Sequence, residues 1–213
     1  SILKGSPVTN TMLEVATSSN LWVNLFIMVL CAPVAEELIF RRLLIDRLAQ
    51  YGEGVAVLFS GLMFGLFHGN LNQFVYAFVL GLCFGFIYVK TGNIRYTIGL
   101  HMLVNFLGSV LGVAILKWLG DDFLSVASDP AGMMSYMTGN FGKLIVYFIY
   151  IFLLLGVAIA GIILFIVNLK KIRFQPGMNT IPKGKRFSTT VLNVGMALYM
   201  IVWIVIIIVQ LFQ

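Results

Sequence analysis

Long apolar stretches separated by short polar ones dominate the sequence, and they predict membrane-spanning helices. An α-helix rises about 1.5 Å per residue, so crossing the hydrocarbon core takes roughly 20 apolar residues. Six segments follow this pattern, one of them shorter than the rest, and the last two contain no charged residue. The predicted helices are Leu21–Leu48, Val55–Phe67, Leu71–Val89, Tyr96–Leu116, Leu144–Val167 and Val191–Phe212.

Composition supports the same interpretation. Of the 213 residues, 60% are hydrophobic and 10% are charged, and the mean hydropathy is +1.00. Soluble domains carry about 25% charged residues, so a soluble enzyme, a disordered protein and a nucleic-acid-binding domain are poor interpretations. The predicted fold is an all-α, polytopic membrane helix bundle of about six transmembrane helices, formed by residues 1–213 as one domain.

Basic residues between the apolar segments predict how the chain is threaded. The segments Arg41–Glu53, Lys90–Arg95 and Lys170–Arg186 carry an excess of Lys and Arg, which is typical of cytoplasmic loops. We therefore expect these segments in the cytoplasm, with residues 168–187 as a basic cytoplasmic loop and Gly120–Gly142 outside. Residues 1–19 are polar and show no signal peptide. Because the chain begins at Ser1, six is a minimum number of helices.

Glycines recur every four residues in the second and third predicted helices. Small residues at this spacing let helix backbones approach closely in lipid. We therefore expect close helix packing at these glycines, which are Gly61, Gly65 and Gly69 with Gly81 and Gly85. The similar strings GLMFGLF and GLCFGFI could instead mark an internal repeat.

An acidic pair interrupts the first predicted helix. Adjacent helical positions differ by about 100°, so Glu36 and Glu37 point in different directions, whereas Glu37 and Arg41 share a face. Because Glu37 and Arg41 can neutralise each other, Glu36 is left to face a polar cavity and to act as a general base. Pro33 predicts a kink beside this cluster. The alternative is an acidic pair that stays hydrated at the cytoplasmic interface.

Both histidines of the chain also lie within apolar segments. His101 and Asn105 share a helical face and can donate hydrogen bonds to a developing oxyanion; alternatively they link helices. Phe64 and His68 have the same spacing. With the charged loops as membrane boundaries, these polar groups and Glu36 lie roughly 9 to 21 Å deep. They therefore predict one conical intramembrane polar cavity that opens to the cytoplasm.

The order of these motifs resembles that of the CAAX protease and bacteriocin-processing (CPBP, or Abi) family of intramembrane endopeptidases. E-E-x-x-x-R spans Glu36–Arg41, F-x-x-x-H spans Phe64–His68 and H-x-x-x-N spans His101–Asn105. All three motifs occur in order within residues 36–105, and together they are more specific than any one alone. The remainder of the chain supports the resemblance only through its hydropathy.

The resemblance implies peptide hydrolysis without a covalent intermediate. Glu36 would activate a water molecule with the help of His68, and His101 with Asn105 would form an oxyanion hole. Three further residues would provide structural support: Glu37, Arg41 and Phe64.

The resemblance also includes a metal-dependent alternative, because the family has been described as metalloproteases. Glu36, His68 and His101 would then be the zinc ligands. A required metal is not favoured, since asparagine is an unusual zinc ligand and no H-E-x-x-H motif is present. We therefore expect no cofactor.

The expected partners are the lipid bilayer and a membrane-embedded or lipidated peptide or protein substrate, with no nucleic acid. A prenylated CAAX tail is associated with eukaryotic relatives, whereas the compact chain suggests a bacterial plasma membrane and peptide maturation or bacteriocin immunity. The alternative class is a non-enzymatic immunity or transport protein in which Glu36 and His68 relay protons. Such a relay gains little from Asn105, whereas an oxyanion hole uses it directly.

Overall fold

The computed structural model describes residues 18–127, 129–179, 181–185, 188–189 and 192–212. Most of the predicted polar segment 1–19 and parts of the predicted basic loop 168–187 lie outside the described residues. The described part of the chain is a bundle of helices. They are α1 (Leu21–Tyr51), α2 (Glu53–Phe67), α3 (Leu71–Thr91), α4 (Ile94–Leu119), α5 (Asp121–Val126), α6 (Pro130–Asn168) and α7 (Val194–Phe212).

The predicted helical membrane bundle is confirmed. Helices α1, α3, α4 and α6 are long and apolar enough to cross a membrane, and α2 and α7 are shorter apolar helices. Helix α6 begins well before the predicted Leu144, at Pro130. Its start is set by Asp129, whose side chain accepts hydrogen bonds from the backbone N–H groups of Ala131 and Gly132, and Pro130 suits the first helical position.

Glycines let α2 and α3 pack backbone against backbone, as their spacing predicts. A Cβ atom added at Gly81 would lie 2.8 Å from Gly61 Cα, and one added at Gly65 would lie 3.1 Å from the Phe74 carbonyl oxygen. The turn between the two helices contains Gly69 at φ +67°, a conformation that other residues rarely adopt. These contacts fix the α2–α3 hairpin, and His68 lies in its turn, directly after the end of α2.

Helices α1 and α4 depart from regular α geometry beside the polar motifs. Leu25–Cys31 and Leu38–Ile45 of α1 are π-helical, as is Phe106–Gly112 of α4, directly after Asn105. Such wide turns are frequent at functional sites. Instead of a simple kink at Pro33, α1 therefore has a short α-helical segment, Ala32–Glu37, between two widened ones.

The three basic segments meet at one end of the bundle. Glu53 forms an ion pair with Lys90, and its backbone N–H donates to the Gln175 carbonyl oxygen at 3.1 Å. Lys90 Nζ also lies 5.7 Å from the centre of the Phe174 ring. The predicted threading requires these segments on one side of the membrane, and their contacts agree with it. We call this the basic end.

Candidate active site

A buried ion pair occupies the centre of α1. Arg41 Nε donates to Glu37 Oε2 at 2.9 Å, and both side chains are fully buried. Arg41 Nη1 donates to Ser60 Oγ at 2.7 Å, and Ser60 Oγ donates to the Phe40 carbonyl oxygen at 2.8 Å. Burying two charges is costly unless they are paired and hydrogen-bonded. The predicted neutralisation of Glu37 by Arg41 is therefore confirmed, and Ser60 completes the network.

His101 of α4 lies between the two glutamates. Its Nδ1 is 3.1 Å from Glu37 Oε1, and its Nε2 is 3.7 Å from Glu36 Oε2. Because a carboxylate paired with Arg41 can only accept, Nδ1 of His101 carries a proton. A neutral imidazole would then turn Nε2 without a proton toward the Glu36 carboxylate, and two acceptors would face each other. One further proton, on either group, would remove this mismatch.

One such proton makes the cluster electrically neutral. With Glu37 as a carboxylate and Arg41 as a guanidinium, the formal charges sum to zero whether that proton lies on Glu36 or on His101. A neutral cluster is the arrangement that a buried, low-dielectric site tolerates best. The contact at 3.7 Å is longer than a hydrogen bond, so Glu36 Oε2 is buried without a hydrogen-bond partner among the described residues.

Phe64 joins the network to the second motif. Its ring centre is 5.0 Å from that of His68 and 5.5 Å from that of His101, and Arg41 Cζ lies 4.9 Å from it. His68 Nδ1 is 2.9 Å from the Phe64 carbonyl oxygen. Since that oxygen only accepts, Nδ1 donates, and the neutral imidazole keeps an acceptor at Nε2.

A cavity of about 560 Å³ lies beside this cluster, within the size range of small-ligand sites. Its walls come from α1, α4, the turn between α2 and α3, and the start of α3. Of the predicted catalytic residues, Glu36, His68 and Asn105 line it, whereas His101 is buried behind Glu36. The lining residues are Met28, Ala32, Glu36, Phe67, His68, Gln73, Tyr76, Val104, Asn105, Gly108 and Ser109.

The cavity lies on the opposite side of Glu36 from the basic end. Met28 and Ala32 precede Glu36 on α1, and Gly108 and Ser109 follow Asn105 on α4, so the walls continue toward the Leu21 and Leu119 ends. Toward the basic end the bundle is filled. The buried residues on that side of Glu36 include Glu37, Phe40, Arg41, Ser60 and Phe64.

This arrangement corrects one expectation from the sequence, that the basic segments and the mouth of the cavity share the cytoplasmic side. In the structure they lie in opposite directions from Glu36. The reason is that α2 is shorter than α1. The N-terminal part of α1 extends beyond the end of α2 at Phe67, which leaves open space beyond the hairpin.

Asn105 has a partner that the sequence could not identify. Its Nδ2 donates to the Met28 carbonyl oxygen at 2.8 Å, so it links α4 to the π-helical part of α1. An amide nitrogen carries two hydrogens, and the second remains for a ligand in the cavity. Asn105 therefore meets both interpretations made from the sequence, a contact between helices and a hydrogen-bond donor.

The predicted zinc ligands do not form a metal site in this arrangement. Within the described residues, no group of three His, Cys, Asp or Glu side chains is placed to hold a metal ion.

Several contributors to the site were missed from the sequence. Ser60 and Gln73 are buried, and Tyr76 lines the cavity. Ser60 is a single hydroxyl in an apolar helix and carries no motif. Gln73 and Tyr76 follow the α2–α3 turn, so only their place near His68 in the sequence could have indicated them.

Comparison with known proteins matches the region that contains these residues. Residues 18–107 match the family model of type II CAAX prenyl endopeptidase Rce1-like proteins. No curated protein and no solved structure is significantly similar to the chain. The matched region includes α1, α2, α3 and α4 as far as Leu107, and with them all three motifs.

Proposed function

We propose that the chain is a member of the Rce1-like family of type II CAAX prenyl endopeptidases, whose family model matches residues 18–107, and that it hydrolyses a peptide bond of a membrane-associated peptide or protein in the cavity beside Glu36. One observation supports this most directly. Glu36 lines the cavity together with His68 and Asn105, and its Oε2 is buried without a hydrogen-bond partner among the described residues. A carboxylate held in this way suits proton transfer from water.

In the proposed reaction, Glu36 takes a proton from a water molecule, and the water oxygen bonds to the carbonyl carbon of the peptide. The second hydrogen of that water is held by Nε2 of His68, which is free to accept. The carbonyl oxygen becomes negatively charged and receives a hydrogen bond from the second N–H of Asn105. When the C–N bond breaks, the nitrogen takes the proton from Glu36, so one water is consumed and an acid and an amine are released.

We propose a different part for His101 from the one expected from the sequence. Its Nε2 faces Glu36 and not the cavity, so His101 acts on the general base. A proton held on His101 instead of on Glu36 leaves Glu36 as the carboxylate that a general base must be. Glu37, paired with Arg41, accepts from Nδ1 and holds the ring of His101 in place, in the way that a carboxylate orients the histidine of a hydrolase.

The alternative class, a transporter with a proton relay, is less well supported. Such a relay needs a polar path through the bundle. Between Glu36 and the basic end, however, Phe40, Phe64 and Ala77 form a buried apolar cluster. The polar side chains beside it, Glu37, Arg41 and Ser60, are bonded to one another. A chamber closed on one side suits a reaction site better than a conduction path.

For the orientation we propose that the three basic segments lie in the cytoplasm of a multi-pass plasma-membrane protein. With this threading, the cavity extends toward the opposite leaflet, and a substrate enters from the bilayer or from that side. The substrate class is a membrane-embedded or lipidated peptide, which reaches such a cavity without leaving the lipid.

The proposal is tested by cleavage in reconstituted vesicles. A farnesylated peptide with a C-terminal CAAX sequence, and the same peptide without the lipid, serve as probes, and mass spectrometry of membrane peptides identifies native substrates. We expect Glu36→Gln to lower kcat by about 10²- to 10⁴-fold. Glu53→Gln, the same substitution at the basic end, retains activity. Wild-type rates from Glu36→Gln would exclude Glu36 as the base.

A further inference from the structure

A second side chain of the cavity resembles Glu36 in having an unused oxygen. Gln73 of α3 lines the cavity, and the residue is 7% exposed. Its Oε1 is buried and has no hydrogen-bond partner in the described part of the chain. A buried amide oxygen without a partner is costly to a folded protein. A ligand in the cavity would supply the missing hydrogen bond.

The backbone of Gln73 is held in a fixed position relative to His68. Asn70 caps the start of α3, and its Oδ1 accepts from the Gln73 backbone N–H at 2.7 Å. The Asn70 amide also donates to the His68 carbonyl oxygen at 3.2 Å. One short turn therefore places both His68 and Gln73 at the cavity wall, while Tyr76 follows one helical turn later.

The chemistry of a carboxamide matches that of a peptide backbone. Its oxygen accepts from an N–H group and its nitrogen donates to a carbonyl oxygen, and it does not titrate. It therefore cannot serve as an acid, a base or a proton relay. Its neutrality also avoids adding a charge to a cluster that is already balanced.

We infer that Gln73 binds the peptide backbone of the substrate next to the scissile bond, with Oε1 accepting a backbone N–H and Nε2 donating to a backbone carbonyl oxygen. This inference rests on the proposed function. It explains why the cavity holds an unpaired amide, and it assigns α3 a part in placing the peptide between His68 and Asn105. Recognition of backbone atoms also makes Gln73 independent of the side chains of the substrate.

The test measures binding and turnover separately. In the Glu36→Gln background, which holds the peptide without cutting it, binding of the fluorescent farnesylated CAAX peptide gives Kd. We expect Gln73→Leu to raise Kd about tenfold, as the loss of one well-formed hydrogen bond does. In the active protein the same substitution raises KM by a similar factor and changes kcat little. Gln175→Leu, at the exposed basic end, is the matched control and leaves both values unchanged.

Peptides with one ester in the backbone test the hydrogen bond between Gln73 and the substrate. Replacing one backbone N–H of the peptide by an ester oxygen removes a donor. For the peptide position that Gln73 contacts, we expect the ester to weaken binding about tenfold with Gln73 present and not at all in Gln73→Leu. Equal losses in both proteins at every position, or an unchanged Kd in Gln73→Leu, would overturn the inference.

Thermal unfolding separates binding from a structural role. Because Gln73 buries an unpaired amide, Gln73→Leu is expected to unfold at the same temperature as the parent or higher. A lower midpoint would show that the amide supports the fold, against the inference. Binding that depends on Gln73, in a wild-type protein that cleaves no probe, would overturn the proposed function and leave this inference standing. Absence of saturable peptide binding would overturn the inference.

Discussion

Glu37 Oε1 and His101 Nδ1 lie 3.1 Å apart, in a hydrogen bond that connects the first and third motifs. The two adjacent glutamates therefore do different work because helical geometry points them in different directions. Glu37 turns inward, where Arg41 pairs with it, and holds the ring of His101. Glu36 turns toward the cavity, and its Oε2 lies 3.7 Å from Nε2 on the other side of that ring. Of these two consecutive residues, Glu36 is thus the proposed carboxylate base, and Glu37 holds the histidine beside it.

Breaking the buried ion pair should destabilise the bundle. Arg41→Met leaves the carboxylate of Glu37 buried with too few partners, and we expect a loss of about 3–5 kcal/mol. The double variant Glu37→Gln, Arg41→Met removes both charges and should recover most of that loss. Thermal unfolding in detergent micelles measures both variants.

The control for this experiment is the neighbouring arginine. The Arg42 side chain is 62% exposed and pairs with Asp46 at 3.5 Å, and an exposed pair of this kind contributes little. Arg42→Met should therefore leave the unfolding midpoint unchanged. Equal losses from Arg41→Met and Arg42→Met would show that the buried network does not stabilise the fold.

Asn105 and Asn24 provide a matched pair for the catalytic role of the amide. Both connect α1 and α4, since Asn24 Nδ2 donates to the Ser109 carbonyl oxygen at 3.4 Å, but only Asn105 lines the cavity. Replacing either by Leu should cost about 1 kcal/mol of stability. Only Asn105→Leu should lower kcat, by about 10²- to 10³-fold. Equal kcat values in the two variants would remove Asn105 from the oxyanion site.

Periodicity and motif spacing predicted the long apolar helices and pointed to Glu36, His68 and Asn105, which line the cavity, but not to Ser60, Gln73 or Tyr76. The Glu37–Arg41 pair follows from the i, i+4 rule, and the tight α2–α3 packing follows from glycine spacing. Three features depend on tertiary contacts instead. The π-helical turns of α1, the bond from His101 to Glu37 and the engagement of Asn105 by Met28 each require knowledge of which helix lies alongside.

The direction of the cavity was missed for a related reason. Charge patterns predict which loops share a side of the membrane, but they do not show where a bundle is filled. Phe40 and Phe64 pack together and close the basic side of Glu36. On the opposite side of Glu36 there is open space, because α2 ends at Phe67. Only the relative lengths of α1 and α2, set in three dimensions, reveal this.

Close backbone packing between α2 and α3 predicts a sharp difference between two glycines. A Cβ at Gly81 would lie 2.8 Å from Gly61 Cα, whereas one at Gly156 of α6 would meet no atom within 4 Å. Gly81→Ala should therefore cost about 1–3 kcal/mol through overpacking. Gly156→Ala should be neutral or stabilise α6 by about 0.5–1 kcal/mol. Similar unfolding midpoints for the two variants would contradict the contact.

Metal removal tests the zinc alternative. We expect the purified protein to contain zinc well below one equivalent and to retain its cleavage rate after treatment with a chelator and dialysis, because the proposed base is Glu36. Elemental analysis and the vesicle assay provide the two measurements. Stoichiometric zinc, with activity lost on its removal and restored by its return, would overturn the metal-free mechanism. His68→Ala would then also lower the zinc content.

Labelling of two methionine positions determines which way the cavity faces. Met178 at the basic end is 91% exposed, and Met134 near the start of α6 is 67% exposed. In a background with Cys31 and Cys83 replaced by Ala, each is changed to Cys and treated with a membrane-impermeant maleimide. We expect intact cells to label Met134→Cys, and to label Met178→Cys only after rupture, because basic segments stay in the cytoplasm. The opposite pattern would place the basic end outside and turn the cavity toward the cytoplasm, so either result fixes the side from which water reaches Glu36.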